Sequence, residues 1–330
     1  MSSSVTAVSA PVLPSSGLRR FAWGVLAYFI AVILWGTMVR ATGSGAGCGN
    51  HWPLCNGTML QHSASLQTII EFTHRITSGL SLLLVVALAV WTYVGTVRKH
   101  LARVAAVTAV ILTLIEALLG ALLVHFGYTA QSQAPGRPAF LALHLTNTLL
   151  LLAAITLTAH MLSRKKGYLW STISFEAPVG AVVSVLVFMT VGVTGSLAAL
   201  GDTLFPADSL AGALASDFSA ASSWLVRWRW THPTVAFLSS IFLIWILVRA
   251  AQRSAHWDNR GLSAMILLLL ALQYVLGVLD VVLLAPTWLQ VVHLLGADIL
   301  WAALVVLAAR IALAPAVAPA VRQTASRPLD

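Results

Sequence analysis

Of the 330 residues, 59% are hydrophobic and only 9% are charged, with a formal net charge of +9. A soluble domain carries roughly 25% charged residues, so this composition excludes a soluble globular protein and points to an integral membrane one. The basic balance raises nucleic acid as a partner, but where the basic residues fall argues against that.

The segment up to Gly17 is rich in Ser, Pro and Ala and reads as a disordered N-terminus over 1–20. A helical span needs about 20 apolar residues, and the chain supplies eight such runs, at 21–39, 68–94, 103–126, 138–162, 178–200, 224–250, 261–284 and 289–314. The first run is too long for a signal-peptide core and lacks a clear small-residue cleavage site, so it is expected to stay as a span. Pro315, Pro319 and Pro328 mark a loose tail over 315–330.

In an eight-span topology, 14 of the 19 Lys and Arg residues fall on one side, from Arg19 and Arg20 through Arg164, Lys165 and Lys166 to Arg322 and Arg327. The other side holds Arg40, Arg75, Arg137, Arg227 and Arg229. The positive-inside rule then puts both termini in the cytoplasm and predicts a multi-pass protein of the plasma membrane. The basic charge is topology, and no nucleic-acid partner is expected.

The spans repeat. Val39 to Ser44 is echoed by Val191 to Ser196, Thr73-His74-Arg75 by Thr231-His232-Pro233, Glu116 to Gly120 by Gln273 to Gly277, and Leu143-His144-Leu145 by Val292-His293-Leu294. Four matches in the same order predict two tandem four-helix units, 21–162 and 178–314, joined by a cytoplasmic linker at 163–177. Each unit has an even number of spans, so the expected fold is an all-α membrane protein whose two bundles are related by a pseudo-two-fold axis along the membrane normal.

Of ten histidines, His74, His144, His232 and His293 lie one to two turns inside the outer ends of the even-numbered spans. Two imidazoles at matched depth on facing helices suit bis-axial haem ligation, and bundle cores commonly hold cofactors in this way. Singly, each would read as a buried, hydrogen-bonded histidine. A zinc site is disfavoured by the lack of an evident third ligand in the second unit. His125, Glu116, Asp280 and Asp298 lie in or beside apolar runs with roles left open.

The halves differ where chemistry would occur. Glu71 and Arg75 accompany His74, sharing a helix face with it, whereas Trp230 and Pro233 surround His232. Ionisable side chains at the edge of lipid need a function or a partner, and a simple Glu71–Arg75 ion pair at a helix start is the plainer alternative. A carboxylate beside only one ligand predicts one reactive site and one electron-carrying site. Cys48 and Cys55 share the first outer loop, where a disulfide is permitted; free thiols or half of a metal site are the alternatives.

The chain resembles the haem A synthase family from about Gly24 to Ala312. The resemblance rests on the Thr-Gly-Ser-Gly turn at Thr42 to Gly45, the Cys48–Cys55 loop with Trp52-Pro53-Leu54, Glu71-x-x-His74-Arg75, and the three later histidines. It implies an oxidoreductase that converts haem O to haem A, oxidising a ring methyl group to a formyl group by successive hydroxylations. It further implies that His74 and His144 hold the substrate haem O and that His232 and His293 hold a haem b. Glu71 would then be catalytic, and Cys48 and Cys55 would pair in a disulfide near the substrate. Members with a second cysteine pair in the later outer loop differ from this chain, which has none there.

Arg40, Arg75 and Arg227 are candidate contacts for haem propionates, with Arg137 and Arg229 equally suited to lipid headgroups. Rival readings are a di-haem b-type cytochrome that transfers electrons, for instance from quinol, and a haem or small-molecule transporter built from parallel repeats. The expected partners are haem O, the bilayer, an unidentified electron acceptor and the enzyme that makes haem O by farnesylation. The sequence leaves a homo-oligomer open.

Overall fold

The structure is a computed structural model, and it describes residues 14–49, 51–57, 65–164, 179–253 and 257–312. Most of the expected N-terminal disorder, much of the linker and the tail lie outside these residues, as do His62 and His256.

The described residues form helices α1 (Ser16–Ala41), α2 (Leu66–Gly95), α3 (Ala102–His125), α4 (Arg137–Leu162), α5 (Val179–Leu204), α6 (Leu210–Asp217), α7 (Trp224–Trp228), α8 (Thr231–Arg253), α9 (Trp257–Val282) and α10 (Thr287–Ala312), with a 3-10 turn at Ser44–Ala46. Eight segments are long and apolar enough to cross a membrane, α7 and α8 together supplying the sixth. Helices suit apolar surroundings because each satisfies its own backbone hydrogen bonds. Ser15 starts α1 by accepting from the Leu18 amide, and Ser65 starts α2 by accepting from Thr68.

Three features differ from the sequence reading. Span five runs four residues beyond 200, because the Arg40 guanidinium caps its end at the Ala199 carbonyl and the Thr203 hydroxyl. Span six is broken after Trp228 rather than continuous. Pro233 has no N–H to offer the Arg229 carbonyl, so the chain tightens there, the His232 amide reaching Arg229 instead. The short helix α6 was not anticipated.

α1 to α4 pack in a ring, each against its sequence neighbour and α4 against α1; α5, α8, α9 and α10 pack in the same cyclic order. The two groups meet through α4 against α5 and α10, and α1 against α10. α4 and α10 are the most buried spans. Between them Trp301 is fully buried, stacks on Phe188 at 5.1 Å, and donates its indole N–H to the Leu149 carbonyl at 2.8 Å. Leu114 and Leu118 on α3, and Leu268, Leu272 and Val275 on α9, remain exposed. Such apolar outer faces are what a lipid-facing helix presents.

Helices adjacent within each group run antiparallel, so α1, α3, α5 and α9 end where α2, α4, α8 and α10 begin. That common end also carries the Cys48–Cys55 loop and holds the four histidines.

Candidate functional site

Each of the four histidines meets a glycine on the preceding odd-numbered span. A Cβ added to Gly36 would stand 3.0 Å from His74 Cε1, and one on Gly195 would stand 2.9 Å from His232 Cε1. At Gly120 the distance to His144 Cε1 would be 3.9 Å, and at Gly277 to His293 Cε1 it would be 3.5 Å. The first two rings therefore rest almost on a neighbouring backbone, which only glycine allows. The sequence repeat aligns Gly43 with Gly195, but the structure puts Gly36 against His74. Gly43 instead turns the chain, at φ 66°, into the loop beyond α1.

His232 and His293 bring their ring centres to 6.5 Å with the planes at 88°. A metal bound by one nitrogen of each ring, at about 2 Å apiece, puts the ring centres roughly 6 Å apart. His74 and His144 stand against Gly36 of α1 and Gly120 of α3. The Nδ1 atoms of His74, His144 and His293 are buried without a hydrogen-bond partner; His232 Nδ1 lies 3.4 Å from Thr194 Oγ1. Among the described residues no set of three or more His, Cys, Asp or Glu converges. Two imidazoles per site fit an ion whose other ligands come from a macrocycle, so the residues present suit haem.

Glu71 is buried, with 3% of its surface exposed. Its Oε2 accepts from the Cys48 amide at 2.8 Å, and its Oε1 accepts from Arg75 at 2.5 Å. Arg75 also donates to the carbonyls of His51 and Leu54. Cys48 and Cys55 are joined by a disulfide and fully buried. This small loop is pressed onto the start of α2, where a Cβ on Gly47 would come within 2.6 Å of the Thr68 nitrogen. The Glu71–Arg75 pair thus exists, as the plainer reading had it, and it also clamps the disulfide loop one turn from His74.

Behind His144 stands a second carboxylate. Glu116 Oε1 lies 3.4 Å from His144 Nδ1, longer than a well-formed hydrogen bond. The same group accepts from Asn147 Nδ2 at 2.5 Å and from the Thr148 hydroxyl. The residue that the sequence repeat aligns with it, Gln273, brings its amide to the backbone of Gly296, where no side chain intervenes. The repeat placed Glu116 opposite Gln273, but only the fold shows that it backs a histidine.

The arginines divide differently from the sequence reading. Arg40 reaches across to the other group of helices, donating to Ala199 O at 2.8 Å, Thr203 Oγ1 at 2.9 Å and Gln290 Oε1 at 2.8 Å. Arg229 is bound by Asp202, Asp217 and Ser216, tying α5 to α6 and α7. Arg227 is exposed on α7. His125 is also exposed, beside Phe126. Asp298 is buried, with Oδ2 unpartnered.

Comparison with known proteins adds to this geometry. The family model COX15-CtaA, described as cytochrome oxidase assembly protein, matches residues 19–305. A protein of Thermus thermophilus named protoheme IX farnesyltransferase is 39% identical over 300 residues, which is 89% of this chain and 48% of that protein. The heme A synthase of Bacillus licheniformis is 30% identical over 245 residues, covering 69% of this chain and 73% of the relative. That of Alkalihalophilus pseudofirmus is 41% identical over 128 residues, 39% of this chain and 40% of the relative. The chain spans about half the length of the Thermus relative it matches.

Proposed function

The chain belongs to the cytochrome oxidase assembly protein family, and on that premise we propose that it is a haem A synthase, oxidising a ring methyl group of haem O to a formyl group by successive hydroxylations. The observation that carries this reading is the asymmetry of the two histidine pairs. A buried carboxylate, Glu71, lies one turn from His74, while Trp230 and Pro233 stand around His232.

His74 and His144 hold the substrate haem O in this reading, and His232 and His293 hold a haem b. Bound there, a haem b would supply one-electron redox chemistry. Gly36 and Gly195 let the rings of His74 and His232 lie against α1 and α5, so each imidazole is held by backbone. Glu116, with Asn147 and Thr148, sets the orientation of His144. Glu71 is placed by Arg75 and the Cys48 amide, and it takes or holds a proton at the reacting methyl group. The disulfide loop covers this end of α2 and restricts water there.

The relatives named heme A synthase support the reaction. The Thermus relative, named for farnesyl transfer to protohaem, supports an enzyme of that class as the partner that hands over haem O. The two groups of helices are read as two four-helix units related by a two-fold axis along the membrane normal. Both termini are then cytoplasmic and the haem sites lie toward the outer face of the plasma membrane. The charge asymmetry of the loops supports that orientation.

The test is co-expression of the full chain with a haem O source, followed by chromatography of the extracted haems. Wild type should yield haem A beside haem b. Glu71→Gln should retain haem b and lower haem A by about 100-fold or more; an undiminished haem A yield in that variant removes Glu71 from the chemistry. Formation of haem O from protohaem and farnesyl diphosphate by this chain alone would instead favour farnesyl transfer.

A further inference from the structure

Among the arginines at the disulfide end, Arg137 stands apart. It is the first residue of α4 and only 3% exposed. Its Nη1 donates to the carbonyls of Ala130 at 2.8 Å and Ser132 at 2.7 Å, which fixes the direction of the guanidinium. Its Nε is buried and has no hydrogen-bond partner, and among the described residues no carboxylate pairs with it. Arg75 and Arg229, by contrast, have carboxylate partners, and Arg40 has three oxygen acceptors.

A buried cation without a counter-ion is costly, by several kcal/mol in general, and near lipid it marks a binding site more often than a structural one. Arg137 lines a cavity of about 180 Å³ between the α3–α4 loop, the end of α5 and the start of α7. Ser132 and Ser223 give it polar atoms, and Leu200, Phe205 and Trp224 give it apolar wall. A guanidinium whose Nε has no partner keeps a donor for an oxyanion, and the apolar wall accepts the carbon skeleton that carries it.

We propose that this cavity binds the oxyanion end of an amphiphile, a carboxylate or a phosphate, through Arg137. Two sources share that chemistry. One is a propionate of a haem held at His144, two turns further along α4 or about 10 Å by helix rise; this source rests on the haem reading above. The other is the phosphate of an anionic phospholipid, which is independent of it.

The experiment uses the full-length protein in nanodiscs, with wild type, Arg137→Gln, Arg137→Lys and Ser223→Trp. The last variant fills the cavity from its far wall and leaves the guanidinium in place. One arm counts retained phosphatidylglycerol by native mass spectrometry. The other compares the affinity for protohaem with that for its dimethyl ester, which keeps the iron and lacks free carboxylates. Arg137→Gln and Ser223→Trp should each weaken one of these by roughly ten-fold or more, with Arg137→Lys in between. Loss of the protohaem preference with lipid unchanged assigns the propionate; loss of lipid with the preference unchanged assigns the phosphate. Wild-type retention of lipid and an unchanged preference in both Arg137→Gln and Ser223→Trp overturn the site. If wild type binds neither haem, the haem reading fails by itself, and the lipid arm still decides the cavity.

Discussion

Glu116 stands 3.4 Å from Nδ1 of His144, and the residue at its place in the second half is Gln273, whose amide lies against Gly296. One histidine is backed by a carboxylate and its counterpart is not. A carboxylate behind a ligating imidazole fixes its tautomer and raises its basicity. On the ligation proposed above, replacing Glu116 by Gln should weaken haem retention at His144 by about 10–100-fold and leave the spectrum of the haem proposed at His232 and His293 unchanged. Haem content and redox titration of the purified variant check this; equal effects on both haems would mean a general loss of packing.

The clamp on the disulfide loop separates two roles of Glu71. Arg75→Leu frees the carbonyls of His51 and Leu54 but leaves the carboxylate. Faster hydrogen exchange over residues 48–57 is expected, with haem A formation falling less than in Glu71→Gln. Equal losses in the two variants would mean that Glu71 acts only by holding the loop.

Glycine contacts offer a graded test within one chain. Gly36→Ala would put a methyl 3.0 Å from His74, and Gly195→Ala would put one 2.9 Å from His232. The first should disturb haem in the first half and the second should disturb haem in the second half. Gly120→Ala, at 3.9 Å from His144, should be tolerated. Separate haem b and haem O stoichiometries read the outcome, and a Gly120→Ala defect as large as the others would contradict the packing argument.

Trp301 is the side chain on which the two groups of helices close. Trp301→Ala empties a fully buried site and leaves the Leu149 carbonyl without its donor. The expected cost is about 3–5 kcal/mol, seen as a large drop in thermal stability in detergent. Trp301→Phe should recover much of the packing and none of the hydrogen bond.

Most of the fold was legible in the sequence because apolar surroundings leave the backbone little choice. Length and hydropathy located eight spans to within a few residues, since each must satisfy its own amides and carbonyls. The repeat read in the sequence singled out His74, His144, His232 and His293 and left Glu71 without a counterpart. What stayed hidden was most of the contacts made across helices. The break before α8 depends on Pro233 and was masked by a continuous apolar run. Gly36, not Gly43, is the residue against His74, because the choice is made by how α1 packs on α2. Arg40 finds its acceptors at Ala199, Thr203 and Gln290, far along the chain, while Arg137 keeps part of its fork unpaired. Sequence alone singled out the candidate residues and their places along the spans, because those follow from residue type and helical rise. Only the tertiary structure decided which of them already have partners, because a side chain's hydrogen bonds are set by neighbours that the linear order does not reveal.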